Sequence, residues 1–99
     1  MLTEKDYCDY DTYVALEELG YPEVMTFNKP FLLYEAQKWL RENHYLHITI
    51  FSSSQESWMY RITKPHQKLE DGIYGEDFTS YEEALSEGIK EAVKILKGE

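Results

Sequence analysis

The sequence contains a single cysteine, Cys8, and it lacks any long apolar run. One thiol cannot form an internal disulfide, which excludes a disulfide-stapled secreted scaffold. A transmembrane helix needs about 20 apolar residues in succession, and no stretch approaches that length. Residues 1–6 also lack the basic and then apolar pattern of a secretory signal. We therefore expect a cytoplasmic protein with no membrane partner.

Basic residues are scarce as well. The chain has 19 acidic and 10 basic side chains and a net charge of −9, and residues 1–23 hold seven acidic residues and one lysine. This field repels phosphate backbones and anionic headgroups. We therefore expect no nucleic-acid partner.

Packable side chains are plentiful, because 42% of the residues are hydrophobic and 15% are aromatic. A chain of 99 residues has the size of one domain with one core. We predict a single domain over 1–99, in which 1–10 are mobile, 11–30 form an N-terminal helix and connector, and 31–97 form the core.

Apolar spacing of three and four residues, typical of amphipathic helices, occurs in three segments. The first is predicted to begin with Asp11 or Thr12 as its cap and to end near Leu19. The second is predicted over 31–43, entered through 28–30, with a left-handed asparagine at its end.

The last helix has the clearest signals. Ser80 and Glu83 match a capping box, in which the serine side chain accepts a backbone N–H bond and the glutamate reaches back. One face then stays apolar until Gly98, so the helix is predicted to end there.

Between these helices the apolar period changes to two, which predicts β-strands. Residues 45–52 and 57–63 are predicted to form an antiparallel hairpin, with 53–56 as its loop. A short third strand at 73–78, interrupted by Gly75, is a further possibility. Helices packed on a short antiparallel sheet give an α+β two-layer sandwich in the order α-α-β-β-(β)-α.

The two faces of this hairpin differ in composition. If Leu46, Ile48 and Ile50 face the helices, the opposite face is unusually aromatic. Its residues are Tyr45, His47, Thr49, Phe51, Met59 and Arg61. Three alternatives remain open for this face: a second copy or another protein covers it, the N-terminal helix folds across it, or it is exposed.

The α-β-β-β-α order resembles the topology of double-stranded RNA-binding domains. That family opens its last helix with a lysine cluster that grips phosphates, whereas residues 79–83 here include two glutamates. The likeness therefore implies the topology and not RNA binding.

Three segments, 16–21, 38–44 and 80–85, resemble a family of small uncharacterised proteins from bacterial genomes and their phages or mobile elements. The likeness spans most of the chain and rests on packing and capping residues. It implies the fold and a cytoplasmic setting, and it carries no activity.

Residues that could carry chemistry are few. His44 and His47 are predicted to point apart, and His66 follows in a loop, so no metal site is predicted. The serines at 52–54 are predicted as a turn, and Cys8 lies in an acidic segment that disfavours its thiolate. Residues 71–75 carry two glycines without the lysine of a phosphate loop.

From these patterns we expect a non-enzymatic protein-interaction module that forms a homodimer, is of phage or mobile-element origin, and has no cofactor and no metal. The first alternative is an acidic mimic of DNA that inhibits a basic protein. The second is a small enzyme with an unrecognised site.

Overall fold

The computed structural model describes residues 7–22, 32–54, 56–65 and 72–98. Along the chain these residues form α1 (Tyr10–Glu18), α2 (Leu33–His44), β1 (His47–Ser54), β2 (Ser57–Thr63), β3 (Ile73–Phe78) and α3 (Tyr81–Lys97). The predicted α+β class and the element order are confirmed, and the third strand is present. Within the described ranges, no helix has the length and apolar character needed to span a bilayer.

The sheet is antiparallel, with β2 between β1 and β3. Its inner face carries Ile48 opposite Ile62 and Ile50 opposite Tyr60, as the alternation predicted. Ile48 and Ile62 are buried and Ile50 is half-buried. The sheet therefore buries the face that the hydrophobic pattern assigned to the core.

Helices α2 and α3 pack on this inner face, and α1 packs against α3. One core cluster joins Leu16 of α1, Leu40 of α2 and Ile89 of α3 to the inner-face isoleucines, and each of these three helix residues is 0% exposed. The amphipathic stripes predicted from the sequence therefore meet in a single core, which is the two-layer arrangement.

Two glycines let the central Tyr60 fit between the sheet and α3. A Cβ atom on Gly75 would lie 2.2 Å from the Tyr60 ring, and one on Gly88 would lie 3.2 Å from Tyr60 Cβ. The Tyr60 ring also stacks on Phe78, with 5.7 Å between ring centroids. The prediction that Gly75 interrupts the third strand is wrong, because this glycine is paired within the strand and makes room for Tyr60.

Helix α3 begins and ends as predicted. The Glu83 amide donates to Ser80 Oγ at 3.1 Å, and the Glu83 carboxylate accepts a bond of 2.8 Å from the Thr79 amide. The reciprocal bond of the capping box therefore goes one residue further back than the motif predicts. Gly98 takes the left-handed conformation, φ 78°, that ends the helix.

The N-terminal helix begins earlier than predicted. Asp9, and neither Asp11 nor Thr12, is the N-cap, and its Oδ1 accepts a bond of 2.8 Å from the Thr12 amide. Tyr7 forms an isolated antiparallel bridge with Leu32, and Cys8 is 4% exposed within the core. We expected 1–10 to be mobile; residues 1–6 lie outside the described ranges, whereas residues 7–10 are built into the fold.

Helix α2 and strand β1 are both shifted relative to their predicted bounds. Leu32 is the N-cap of α2 and makes no side-chain capping bond, and the predicted entry at 28–30 lies outside the described residues. The left-handed residue after the helix is Tyr45, φ 58°, in place of Asn43. Strand β1 continues to Ser54, so the predicted serine turn at 52–54 is extended strand.

Candidate interaction surface

The strand register creates a continuous face on the side of the sheet away from the helices. Residues directly opposite each other in an antiparallel pair point to the same side. The outer pairs of β1 and β2 are His47 with Thr63, Thr49 with Arg61, and Phe51 with Met59, and Arg61 is also paired with Tyr74 of β3. We call these seven residues the outer face.

The outer face lacks a helical cover from the described part of the chain. Helix α1 packs against α3, with Tyr13 and Leu16 in the core cluster on the inner side. The alternative that the N-terminal helix folds across the outer face is therefore wrong. Thr49 is exposed, and Phe51 and Met59 are half-buried among their neighbours on the sheet.

Arg61 lies at the centre of this face. Its guanidinium carbon is 5.7 Å from the centroid of the Phe51 ring, within the range of a cation–π contact. The Arg61 Nε atom is buried and has no hydrogen-bond acceptor among the described residues. Arg61 therefore brings a positive charge to a surface whose other six residues are three aromatic rings, a methionine and two threonines.

The residues of the outer face differ in part from those that the sequence predicted. Tyr45 is 64% exposed, but it is the left-handed cap of α2 and precedes β1. Tyr74 and Thr63 belong to the face through their pairing with Arg61 and His47. The alternation of apolar and polar residues after Gly72 could have indicated Tyr74, once a third strand was assumed.

The two edges of the sheet are less suited to contact than its face. Edge strands offer unpaired backbone groups to other chains unless a side chain or an irregularity blocks them. On β1, Gln37 Nε2 donates a bond of 2.6 Å to the Ile48 carbonyl oxygen. On β3, Asp77 has φ 69°, and the register with β2 shifts between Trp58 and Tyr60. Both devices disfavour the addition of a strand from another chain.

An acidic groove of about 320 Å³ lies where the N-terminal end of α3 meets the residues before α1. Its carboxylates are mostly engaged within the fold. Asp9 caps α1 and lies 3.1 Å from Lys90 Nζ, which is 3.7 Å from Glu87, and Glu83 accepts from Thr79. These contacts assign a structural role to three of the acidic side chains in the groove.

The Asp9–Lys90 pair also explains two pKa shifts. Burial raises the pKa of Asp9, but hydrogen bonds from Thr12 and Lys90 outweigh it and hold the pKa below the ordinary value. Burial lowers the pKa of Lys90, but the bond and charge of Asp9, with Glu87, raise it overall. Both shifts favour the charged pair that joins α1 to α3.

The structure also shows the surroundings of Cys8, considered as a nucleophile, and of His44, considered as a metal ligand. Burial, followed by the charges of Asp9 and Glu35, raises the pKa of Cys8 to about 12, so its thiolate is strongly disfavoured. His44 ends α2 with its ring 4.8 Å from that of Trp39, and His66 lies outside the described residues. No group of three potential metal ligands occurs within residues 7–22, 32–54, 56–65 and 72–98.

Comparison of the chain with protein-family models, with curated proteins and with solved structures finds no match. The resemblance to small bacterial and phage proteins therefore stays a prediction.

Proposed function

We propose that this protein is a non-enzymatic interaction module whose outer face binds a second copy of the same chain. The observation that carries the proposal is an aromatic, methionine and arginine surface opposite the helical layer, centred on Phe51, Met59 and Arg61. Aromatic residues, methionine and arginine are enriched at the centres of protein interfaces.

The charge distribution favours self-association through this face. Two chains of net charge −9 repel each other wherever their carboxylates meet. The seven outer-face residues include no carboxylate and one arginine. The seven outer-face residues therefore add no carboxylate repulsion between two copies, and the exposed Glu76 and Asp77 of β3 lie beside Met59 in the sheet.

The size of the face indicates how strong such a dimer is. Strands lie about 4.8 Å apart and rise about 3.4 Å per residue. The three strands have 8, 7 and 6 residues, so the sheet face has a projected area of roughly 340 Å². A stable pair buries about 800 Å² on each partner. We therefore propose a weak, concentration-dependent dimer and not a permanent one.

Sedimentation over a wide range of protein concentration tests this proposal. We expect the average mass to rise from monomer toward dimer, and Phe51→Glu or Met59→Glu to hold the protein at the monomer mass, because each places a charge at the contact. Tyr10→Glu is the matched control, since it adds the same charge at a tyrosine that is 65% exposed on α1. A wild-type mass that stays monomeric, or variants that associate as wild type does, would overturn the proposal.

Mimicry of DNA receives less support from the described residues. A mimic needs carboxylates spaced as phosphates and free to meet a basic partner. Asp9 and Glu18 are instead paired with Lys90 and Lys97 along the seam between α1 and α3. These cations interrupt the acidic surface.

A further inference from the structure

A second surface, separate from the outer face, combines aromatic rings with carboxylates. It is a groove of about 510 Å³ beside α2. Tyr21, Tyr34 and Trp39 supply the rings, and Glu35 and Glu42 supply the carboxylates. Glu35, Trp39 and Glu42 recur at intervals of four and three, which places them along one face of the helix, and Tyr34 directly precedes Glu35.

The aromatic side of the groove is partly fixed and partly open. Tyr21 is 7% exposed and packs against Trp39 at 5.2 Å between ring centroids, with the planes 78° apart. Tyr34 is 57% exposed. One wall is therefore held by packing, while the other is available to a ligand.

The charge of the groove is not balanced from within. Neither Glu35 nor Glu42 forms an ion pair with a described residue, and Lys38 is the one cation among the described residues that line the groove. Two carboxylates against one ammonium leave a negative charge beside the exposed ring of Tyr34 and the half-buried ring of Trp39. Such a site favours a cation that also presents a flat or apolar surface.

We propose that this groove binds the guanidinium group of an arginine in a basic polypeptide. A guanidinium is planar and weakly hydrated, so it stacks on a tyrosine or tryptophan ring while its edge donates two hydrogen bonds to a carboxylate. A lysine ammonium is strongly hydrated and does not stack in this way. A quaternary ammonium group requires rings on several sides, whereas Tyr34 leaves this groove open.

Tryptophan fluorescence can detect the ligand at the site itself. The chain has two tryptophans, so Trp58→Phe leaves Trp39 in the groove as the sole reporter. The probes are a blocked peptide of four arginines, its four-lysine counterpart, and tetramethylammonium chloride. We expect the arginine peptide to change Trp39 emission and to bind about tenfold more tightly than the lysine peptide, a difference of ~1.4 kcal/mol.

Charge variants separate recognition from general attraction to an acidic protein. Glu35→Gln with Glu42→Gln should weaken arginine-peptide binding about tenfold, or ~1.4 kcal/mol. The matched control is Glu56→Gln with Glu76→Gln, which removes the same charge at exposed positions that do not line the groove. This control should weaken binding less than twofold.

Three results would overturn the proposal: equal affinity for both peptides, equal losses in the two double variants, or preferential binding of tetramethylammonium. The outcome is independent of self-association. Phe51→Glu should leave arginine-peptide binding unchanged even where it abolishes the dimer, so failure at one surface is distinguishable from failure at the other.

Discussion

Both faces of the sheet carry large apolar or aromatic side chains, but the surroundings of the two faces differ. On the inner face Ile48, Tyr60 and Ile62 are no more than 8% exposed, whereas Phe51 and Met59 on the outer face are half-buried. Both faces follow the same period of two. Hydrophobic alternation therefore predicts that a strand has two faces without deciding how each one is covered.

The glycines help to decide which face receives the helices. Gly75 lies beneath the Tyr60 ring, and Gly88 brings α3 so close to the sheet that a Cβ atom on it would lie 3.0 Å from Ile48 Cγ2. Close approach of this kind allows the dense packing that makes core side chains costly to remove. The outer-face pairs contain no glycine, so they present a filled surface.

The largest expected contrast is between truncations on the two faces. Ile48→Ala should lower the free energy of unfolding by about 3 kcal/mol, because it leaves a cavity among buried neighbours. Phe51→Ala should cost about 1 kcal/mol in the monomer, because its ring is only partly buried. Urea unfolding at low protein concentration measures both. Equal losses would show that the outer face belongs to the core of the monomer.

The packing at Gly75 gives the next effect. Gly75→Ala should destabilise by about 2 kcal/mol, because the added methyl group collides with a ring that Phe78 holds in place. In a Tyr60→Leu background, Gly75→Ala should lower the free energy of unfolding by clearly less, because the Tyr60 ring with which the methyl group collides is absent. Thermal unfolding of the four proteins in this cycle tests the coupling, and strict additivity would contradict it.

The smallest effect concerns the seam between α1 and α3. Asp9→Ala should cost about 1 kcal/mol, because it removes the N-cap. Asp9→Asn should lower the free energy of unfolding by less. Asparagine keeps the N-cap hydrogen bond and loses only the charge pair with Lys90. Unfolding measured at neutral pH separates the two contributions, and equal losses would show that the charge matters and the cap does not.

The same pair predicts a pH dependence. The pKa of Asp9 is lowered in the folded state. Its contribution to the free energy of unfolding is therefore complete above the ordinary pKa of 3.8 and is lost as the pH falls through the folded pKa. The pKa of Lys90 is raised, so its contribution is complete below 10.5 and is lost as the pH rises through the folded value. In Asp9→Asn the acid-side loss should be smaller than in the wild type.

Sequence patterns predicted the sheet and α3 well because their signals are local. The apolar period of two predicted β2 at 57–63, and Ser80 and Gly98 predicted the two ends of α3. The predicted start of α1 was wrong, because Asp9, Asp11 and Thr12 are all residue types that favour an N-cap. The contact that accompanies Asp9, its pair with Lys90, joins residues far apart in the chain and has no local signal.

The candidate surface was predicted in part for the same reason. Phe51, Met59 and Arg61 follow from alternation within the hairpin, whereas Tyr74 depends on pairing with a strand beyond residue 72. Tyr45 was misplaced because α2 continues through His44. The aromatic groove was not predicted from the sequence, because Tyr21 and Trp39 come into contact only in the folded chain.

The central claim is that the outer face is a contact between copies, and the methyl group of Met59 reports on it directly. In the methyl NMR spectrum of protein labelled at methionine, we predict that the Met59 resonance shifts and broadens as the protein concentration rises, and that Phe51→Glu abolishes this change. A Met59 resonance that is independent of concentration in the wild type would contradict the account.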